Sequence, residues 1–163
     1  MNNSSYKFMV DHNVGKIAKW LRMMGFDTSF FTGLNDTDMV NIALREDRIL
    51  LTRDTGIMER RVVTNGQLKA ILIKSDRLPQ QTQQVIDDLQ LRQDQIRPFT
   101  ICMECNIKLV ERTIEEVRDR VPPYVFATQT HFVECPSCHR IYWQGTHWQN
   151  MVSKISNLNI QKS

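Results

Sequence analysis

Apolar positions in the first ninety residues alternate between two periods. Residues 6–10 (YKFMV) form a short apolar run that reads as a strand. Val14, Ile17, Ala18, Leu21 and Met24 then recur at helical spacing until Gly25 stops them. Residues 27–31 (DTSFF) give a second, weaker strand. Met39, Val40, Ala43 and Leu44 mark a second helix, entered through the turn-rich Gly33-Leu34-Asn35-Asp36. Residues 48–52 (RILLT) read as a strand, 57–63 as a third helix and 70–74 (AILIK) as a fourth strand. Pro79 suits the first turn of a fourth helix carrying Val85, Ile86 and Leu89. Four strand–helix repeats predict an α/β fold, a parallel sheet of about four strands with flanking helices and right-handed crossovers.

The texture changes after residue 95. Residues 92–99 are polar, contain Pro98 and read as a linker. Beyond them apolar residues thin out and cysteines and aromatics take over. Thr113-Ile114-Glu115-Glu116 has the capping-box form that opens a helix, which must stop before Pro122-Pro123. The expected division is an α/β domain over 1–95, a small cysteine-bearing module over 96–151 and a polar, frayed tail over 152–163.

Charge narrows the function little. Lys and Arg number 21 against 18 Asp and Glu, a net charge of +3. That balance lacks the one-sided basicity of a dedicated nucleic-acid binder, so contacts with RNA must come from local patches. No apolar run approaches the ~20 residues of a membrane helix. No charged leader followed by an apolar stretch opens the chain, so a cytoplasmic protein is expected. Nothing in the sequence indicates a protein partner or a homo-oligomer.

The acidic residues fall in a pattern on this skeleton. Asp11 follows the first strand, Asp36 lies after the second, Asp54 comes two residues after Thr52, and Asp76 two after Lys74. Each strand thus delivers an aspartate to the carboxyl edge of the sheet, where open α/β sheets bind ligands. Carboxylates gathered there repel one another, and a divalent cation removes the conflict. Mg²⁺ and Mn²⁺ prefer oxygen ligands and retain water, which suits phosphodiester hydrolysis. Arg53 and Lys74, beside two of these aspartates, are candidates for holding phosphate. Taken singly, each aspartate is better read as a helix N-cap than as a ligand, Asp36 most of all; an Asp after all four strands is what capping alone does not explain. Other acidic or nucleotide chemistries lack their motifs. Asn13 stands where a haloacid-dehalogenase-type phosphatase needs its second Asp. Dinucleotide, P-loop and nucleophile-elbow motifs are absent.

The four cysteines form two Cys-x-x-Cys pairs, Cys102/Cys105 and Cys135/Cys138. Two such pairs complete a tetrahedral four-thiolate zinc site, closed to substrate and therefore structural. The long interval between them accommodates the capped helix. A redox dithiol would need one pair within a thioredoxin-like unit. His139 could be a spare ligand, but with four cysteines present it is expected at the surface or just behind the ligands. Tyr142-Trp143-Gln144-Gly145-Thr146-His147-Trp148 can stack on RNA bases or, as favoured here, supply core to a small module. Met9, Met23 and Met24 read as ordinary core.

Val10-Asp11, the run from Gly15-Lys16-Ile17 to Arg22-Met23-Met24-Gly25, and Leu50-Leu51-Thr52-Arg53-Asp54 together resemble the PIN-like nuclease fold. More narrowly they resemble its Mut-seven C-terminal branch, a ribonuclease-like domain with a zinc ribbon. Cys102-x-x-Cys105-Asn106, Arg120-Val121-Pro122-Pro123, Cys135-Pro136-x-Cys138 and Tyr142-Trp143-x-Gly145-x-His147-Trp148 extend the resemblance over about residues 6–151. It implies cleavage of RNA by an acidic cluster holding Mg²⁺ or Mn²⁺: Asp11, Asp36 with Asp38 as its understudy, Asp54, and Asp76 as a weaker fourth. Lys16 and Arg22 in the first motif join Arg53 and Lys74 as expected substrate contacts. The sequence departs from the branch at His12-Asn13, where an acidic residue is common. Two readings follow: a metal-dependent endoribonuclease, or an RNA-binding or assembly module that keeps the fold without cutting.

Overall fold

The structure is a computed structural model and describes residues 5–162. Four parallel strands form the main sheet in the order β2-β1-β3-β4: β1 Lys7–Val10, β2 Asp27–Phe30, β3 Ile49–Thr52 and β4 Ala70–Leu72. All four lie where the apolar runs predicted them, though β4 ends two residues early. Successive side chains of β1 and β3 enter opposite layers, as strand geometry requires. Phe8, Val10, Ile49 and Leu51 join one core with helices α1 (Ile17–Met23) and α5 (Leu78–Leu89). Met9 and Leu50 join the other with α2 (Asp36–Arg45). The chain turns from β1 to β2 on one side and crosses back to β3 on the other, so right-handed crossovers put α1 and α2 on opposite faces.

The expected third helix is two short ones, α3 (Thr55–Met58) and α4 (Arg61–Thr64). Arg60 between them is extended, with ψ 142°. This kink lets Ile57 and Val62-Val63 reach the same core.

Residues 92–99 do more than link. Gln93–Gln95 make a 3₁₀ turn, and the Arg97 amide donates to the Met24 carbonyl at 2.8 Å. Gly25, which ends α1 at φ +95°, makes this approach fit: a Cβ there would collide with the Arg97 carbonyl. Gly25→Ala is therefore expected to cost about 1–3 kcal/mol, as for a residue forced into sparsely populated backbone. Urea-denaturation midpoints of the two proteins check it.

The C-terminal module is an antiparallel sheet in the order β5-β6-β7: β5 Val110–Arg112, β6 Phe132–Glu134 and β7 Ile141–Tyr142. Its buried core is small: Val117, Val121, Val125 and Phe132. The capping box forms as predicted, with Thr113 N donating to Glu116 Oε2 at 3.0 Å and Glu116 N to Thr113 Oγ1 at 3.3 Å. It opens only a 3₁₀ turn, Glu115–Val117. Pro122-Pro123 stops that turn and also starts α6 (Pro123–Thr128), because proline suits a helix's first positions. Glu134, nearly fully buried, is hydrogen-bonded by Arg120 and by Arg112, and these hold its carboxyl down at about 2.

The stretch 152–163, expected to fray, is largely docked. Helix α7 (Thr146–Ser156) buries Ile155 in the α/β core, and Leu158 and Ile160 pack against it. Gln93 N then donates to the Gln161 carbonyl at 2.9 Å. The polar composition concealed one apolar stripe, Trp148, Met151, Ile155, at helical spacing. No described helix is long and apolar enough to cross a membrane.

Candidate functional site

The strand order places a topological switch point between β1 and β3, and the crevice beyond the strands' carboxyl ends there is the natural ligand site of such a sheet. Asp11 follows β1 directly and is 2% exposed. Its Oδ2 accepts from Thr52 Oγ1 at 2.8 Å. The same hydroxyl accepts from the Asp54 amide at 3.0 Å, so Thr52 ties the Asp11 side chain to the Asp54 backbone. Asp11 Oδ1 is buried and accepts no hydrogen bond from the described residues. His12 Nδ1 comes within 2.9 Å of it without hydrogen-bond alignment, and that imidazole is 73% exposed.

The other acidic residues lie at the same edge with looser engagement. Asp54 caps α3, its Oδ1 accepting from Gly56 N at 2.8 Å. Asp36 is the first residue of α2, but Asn35 is the cap, accepting from Thr37 N at 2.8 Å. Asp38 is exposed in the first turn of α2. Asp76 is exposed four residues past the shortened β4. No three carboxylates have oxygens within 4.8 Å of one another among the described residues. A hydrated Mg²⁺ or Mn²⁺ needs only one or two direct carboxylates, so Asp11, with its unsatisfied oxygen, and Asp54 beside it fit such an ion.

A cleft of about 1290 Å³ adjoins this edge. One side is built from His12, Asn13, Lys16, Lys19, Arg53 and Asp76, and the C-terminal module supplies Tyr124, Arg140, Trp143 and His147 among others. Glu104 bridges the two parts, 2.9 Å from Lys19 Nζ and 3.4 Å from Arg140 Nη1. Lys16 and Arg53 have no ion-pair partner among the described residues. Two of the expected substrate contacts sit elsewhere. Lys74 is exposed outside the cleft lining. Arg22 is 9% exposed, its Nε donating to the Thr28 carbonyl at 2.9 Å and its Nη1 to the Met103 carbonyl at 2.8 Å. Burial holds its guanidinium below its ordinary value. Arg22 is thus a joint between the two modules, because α1 turns it away from the edge.

The four cysteine sulfurs lie within 4.8 Å of one another. The two pairs repeat one design. Cys102 N donates to the Ile107 carbonyl at 2.9 Å and Cys135 N to that of Arg140 at 3.0 Å. Asn106 N and His139 N donate back to Cys102 and Cys135, each at 2.9 Å. Asn106 (φ 59°) and His139 (φ 62°) turn left-handed at the same point. Cys102 Sγ and Cys138 Sγ are 3.8 Å apart, which is about the sulfur–sulfur edge of a tetrahedron with Zn–S bonds of ~2.3 Å. Four soft donors so arranged can form a zinc site. Burial pushes the Cys102 thiol up, but the Tyr142 hydroxyl at 3.1 Å and nearby amides outweigh it and bring it down to about 7. Cys105, crowded by Cys138, is pushed up to about 12.

The first knuckle also grips the α/β sheet. Asn106 Oδ1 accepts from the Thr28 amide at 2.8 Å, and its Nδ2 donates to Asp27 Oδ1 at 2.7 Å. Arg48 Nη1 donates to the same oxygen at 2.8 Å. Burial raises Asp27, but these two hydrogen bonds outweigh it and hold its carboxyl below the ordinary range. His139 lies exposed, as expected. The aromatic run mostly packs: Trp143 against the module's core and Trp148 edge-on to Phe99 at 4.2 Å. Sequence reasoning missed Thr52 and Asn106 as structural links and Tyr124 as part of the cleft wall. The first two stand inside the motifs Leu-Leu-Thr-Arg-Asp and Cys-Asn, where a hydroxyl at a strand end and an Asn after a knuckle were the available signals.

A four-stranded parallel sheet with aspartates at its switch point, joined to a four-cysteine module, is the arrangement expected of the ribbon-bearing branch of the PIN-like fold. The chain belongs to the Mut7-C RNAse domain family, whose model matches residues 6–155. No curated protein and no solved structure matches it.

Proposed function

We propose that this protein is a metal-dependent endoribonuclease hydrolysing RNA phosphodiester bonds at the β1/β3 crevice, with a structural zinc in the four-cysteine cluster. The observation that carries the reading is the buried Asp11 carboxylate with an unsatisfied oxygen. A buried carboxylate held by one hydrogen bond and faced only by an exposed imidazole is costly, and a cation at its free oxygen lowers the cost. Asp11 and Asp54 would hold Mg²⁺ or Mn²⁺, with Asp36 in reserve. When bound, such an ion activates water and neutralises charge on the phosphate. Thr52 fixes the Asp11 rotamer, and Lys16 and Arg53, both lining the cleft, draw the RNA backbone toward it.

Asp54→Asn isolates the chemistry from the fold, because Asn caps a helix as well as Asp does. Labelled single-stranded and structured RNAs are incubated with each protein in Mg²⁺, Mn²⁺ or neither. Metal-dependent cuts that disappear in Asp54→Asn, with an unchanged circular dichroism melt, are expected. Cuts that persist in the variant would remove Asp54 from the site. The separation of the carboxylates, with no three gathered, favours one other reading, an RNA-binding module that does not cut. Tight RNA binding without cleavage in any metal would establish it.

A further inference from the structure

We infer that Tyr124 is a base-stacking platform that makes the cleft selective for unpaired RNA, an inference that rests on the nuclease reading for the identity of the polymer. The cleft exceeds the ~300–1,000 Å³ usual for small-molecule pockets, which suits a stretch of polymer. It combines unpaired cations, Lys16 and Arg53, with aromatic rings, the pairing by which proteins hold single strands.

Most of those rings already have work in the fold. Trp20 is 9% exposed. Trp143 packs on the module's core, Trp148 lies against Phe99, and Tyr142 meets Cys102 Sγ. Tyr124 differs. It is 71% exposed and stands outside the module's core cluster, although its neighbour Val125 is buried there. The main chain beneath it is fixed: Pro122 and Pro123 start α6, and Thr128 Oγ1 donates to the Tyr124 carbonyl at 2.7 Å. A large ring held on rigid backbone at the wall of a cationic cleft offers a flat face at little entropic cost. Stacking on it needs a base whose own face is open. Bases within a duplex are stacked on one another and present only edges and backbone. Because every base has such a face, the preference is for strandedness and not for sequence.

The test is fluorescence anisotropy of the full chain with a labelled single-stranded oligoribonucleotide and its duplex, without added magnesium or manganese, for wild type, Tyr124→Ala and Tyr124→Phe. Tyr124→Ala is expected to bind the single strand about tenfold or more weakly, within the range for loss of one stacked base. Tyr124→Phe, which keeps the ring, should bind like wild type, and duplex affinity should be low and the same in all three. Equal single-strand affinity of Tyr124→Ala and wild type overturns the inference, as does a Phe variant as weak as the Ala variant, or duplex binding as tight as single-strand binding. Cleavage is scored separately with metal. Loss of single-strand binding in Tyr124→Ala by a wild-type protein that never cuts would keep this inference and end the nuclease reading.

Discussion

Replacing Cys135 by Ser will melt the C-terminal module and loosen the α/β sheet with it. Cys135 is fully buried at the end of β6, and its backbone amide closes the second knuckle on the Arg140 carbonyl. The module's buried core of four residues is too small to hold the fold unaided, as is general for units of this size. A zinc held by the four cysteines would supply about 10–16 kcal/mol, as in comparable small folds, and loss of one thiolate would then remove the main source of order. The consequence spreads through the first knuckle. Asn106 covers the exposed edge of β2 by its bond to the Thr28 amide and shares Asp27 with Arg48, and Arg22 reaches back from α1 to the Met103 carbonyl. Once the knuckle disorders, Arg22 is left with buried donors that have no acceptors, at about 1.5–3 kcal/mol for a hydrogen bond to a charged group. Thermal melts should show the whole chain destabilised in Cys135→Ser, and zinc stoichiometry should fall from one toward zero. A strong chelator should reproduce the melt of the variant in wild type. An unchanged melt in either case would mean that the ribbon stands without metal and that the knuckle contacts carry its stability alone.

Much of this architecture is legible in the chain because it is local. The period-2 runs of β1 and β3 and the helical spacing of α1 and α5 follow from residues a few positions apart. So do the knuckles, whose turns are set within six residues. What escaped depends on partners far along the chain. Arg22 reads as a cation near a motif until the Met103 carbonyl, 81 residues away, claims it. Ile155, Leu158 and Ile160 read as part of a polar tail until the α/β core offers them a surface. The Pro122-Pro123 pair was legible as a stop and overlooked as a start, although both follow from the same missing amide hydrogens. The aspartates occupy a middle case. Their common edge follows from strand order, while the difference between Asp11, buried and unsatisfied, and Asp76, exposed, is set by which strands are central.

That difference predicts an unusual response at Asp11. Substitution of a fully buried polar residue ordinarily destabilises, by leaving its partner unpaired. In Asp11→Asn the amide oxygen can still accept from Thr52 Oγ1, so the one hydrogen bond of the side chain survives. The buried negative charge is replaced by a neutral amide of the same shape, whose NH2 group takes the place of Oδ1 and can donate to His12 Nδ1, 2.9 Å from that position. Without divalent metal, Asp11→Asn is therefore expected to be as stable as wild type or more stable. With metal the order reverses. Wild type should gain RT ln(1 + [metal]/Kd), about 2.7 kcal/mol at a hundred times Kd, and Asp11→Asn should gain little. Cleavage should fall by more than about a hundredfold, beyond the usual cost of losing a merely supporting partner. Melting temperatures of both proteins across a Mn²⁺ titration, at fixed zinc loading, separate this from a structural role. A variant that is weakened without metal yet still stabilised by Mn²⁺ as strongly as wild type would show that Asp11 serves only to brace Thr52, and that the cation, if the protein takes one, sits elsewhere along the edge.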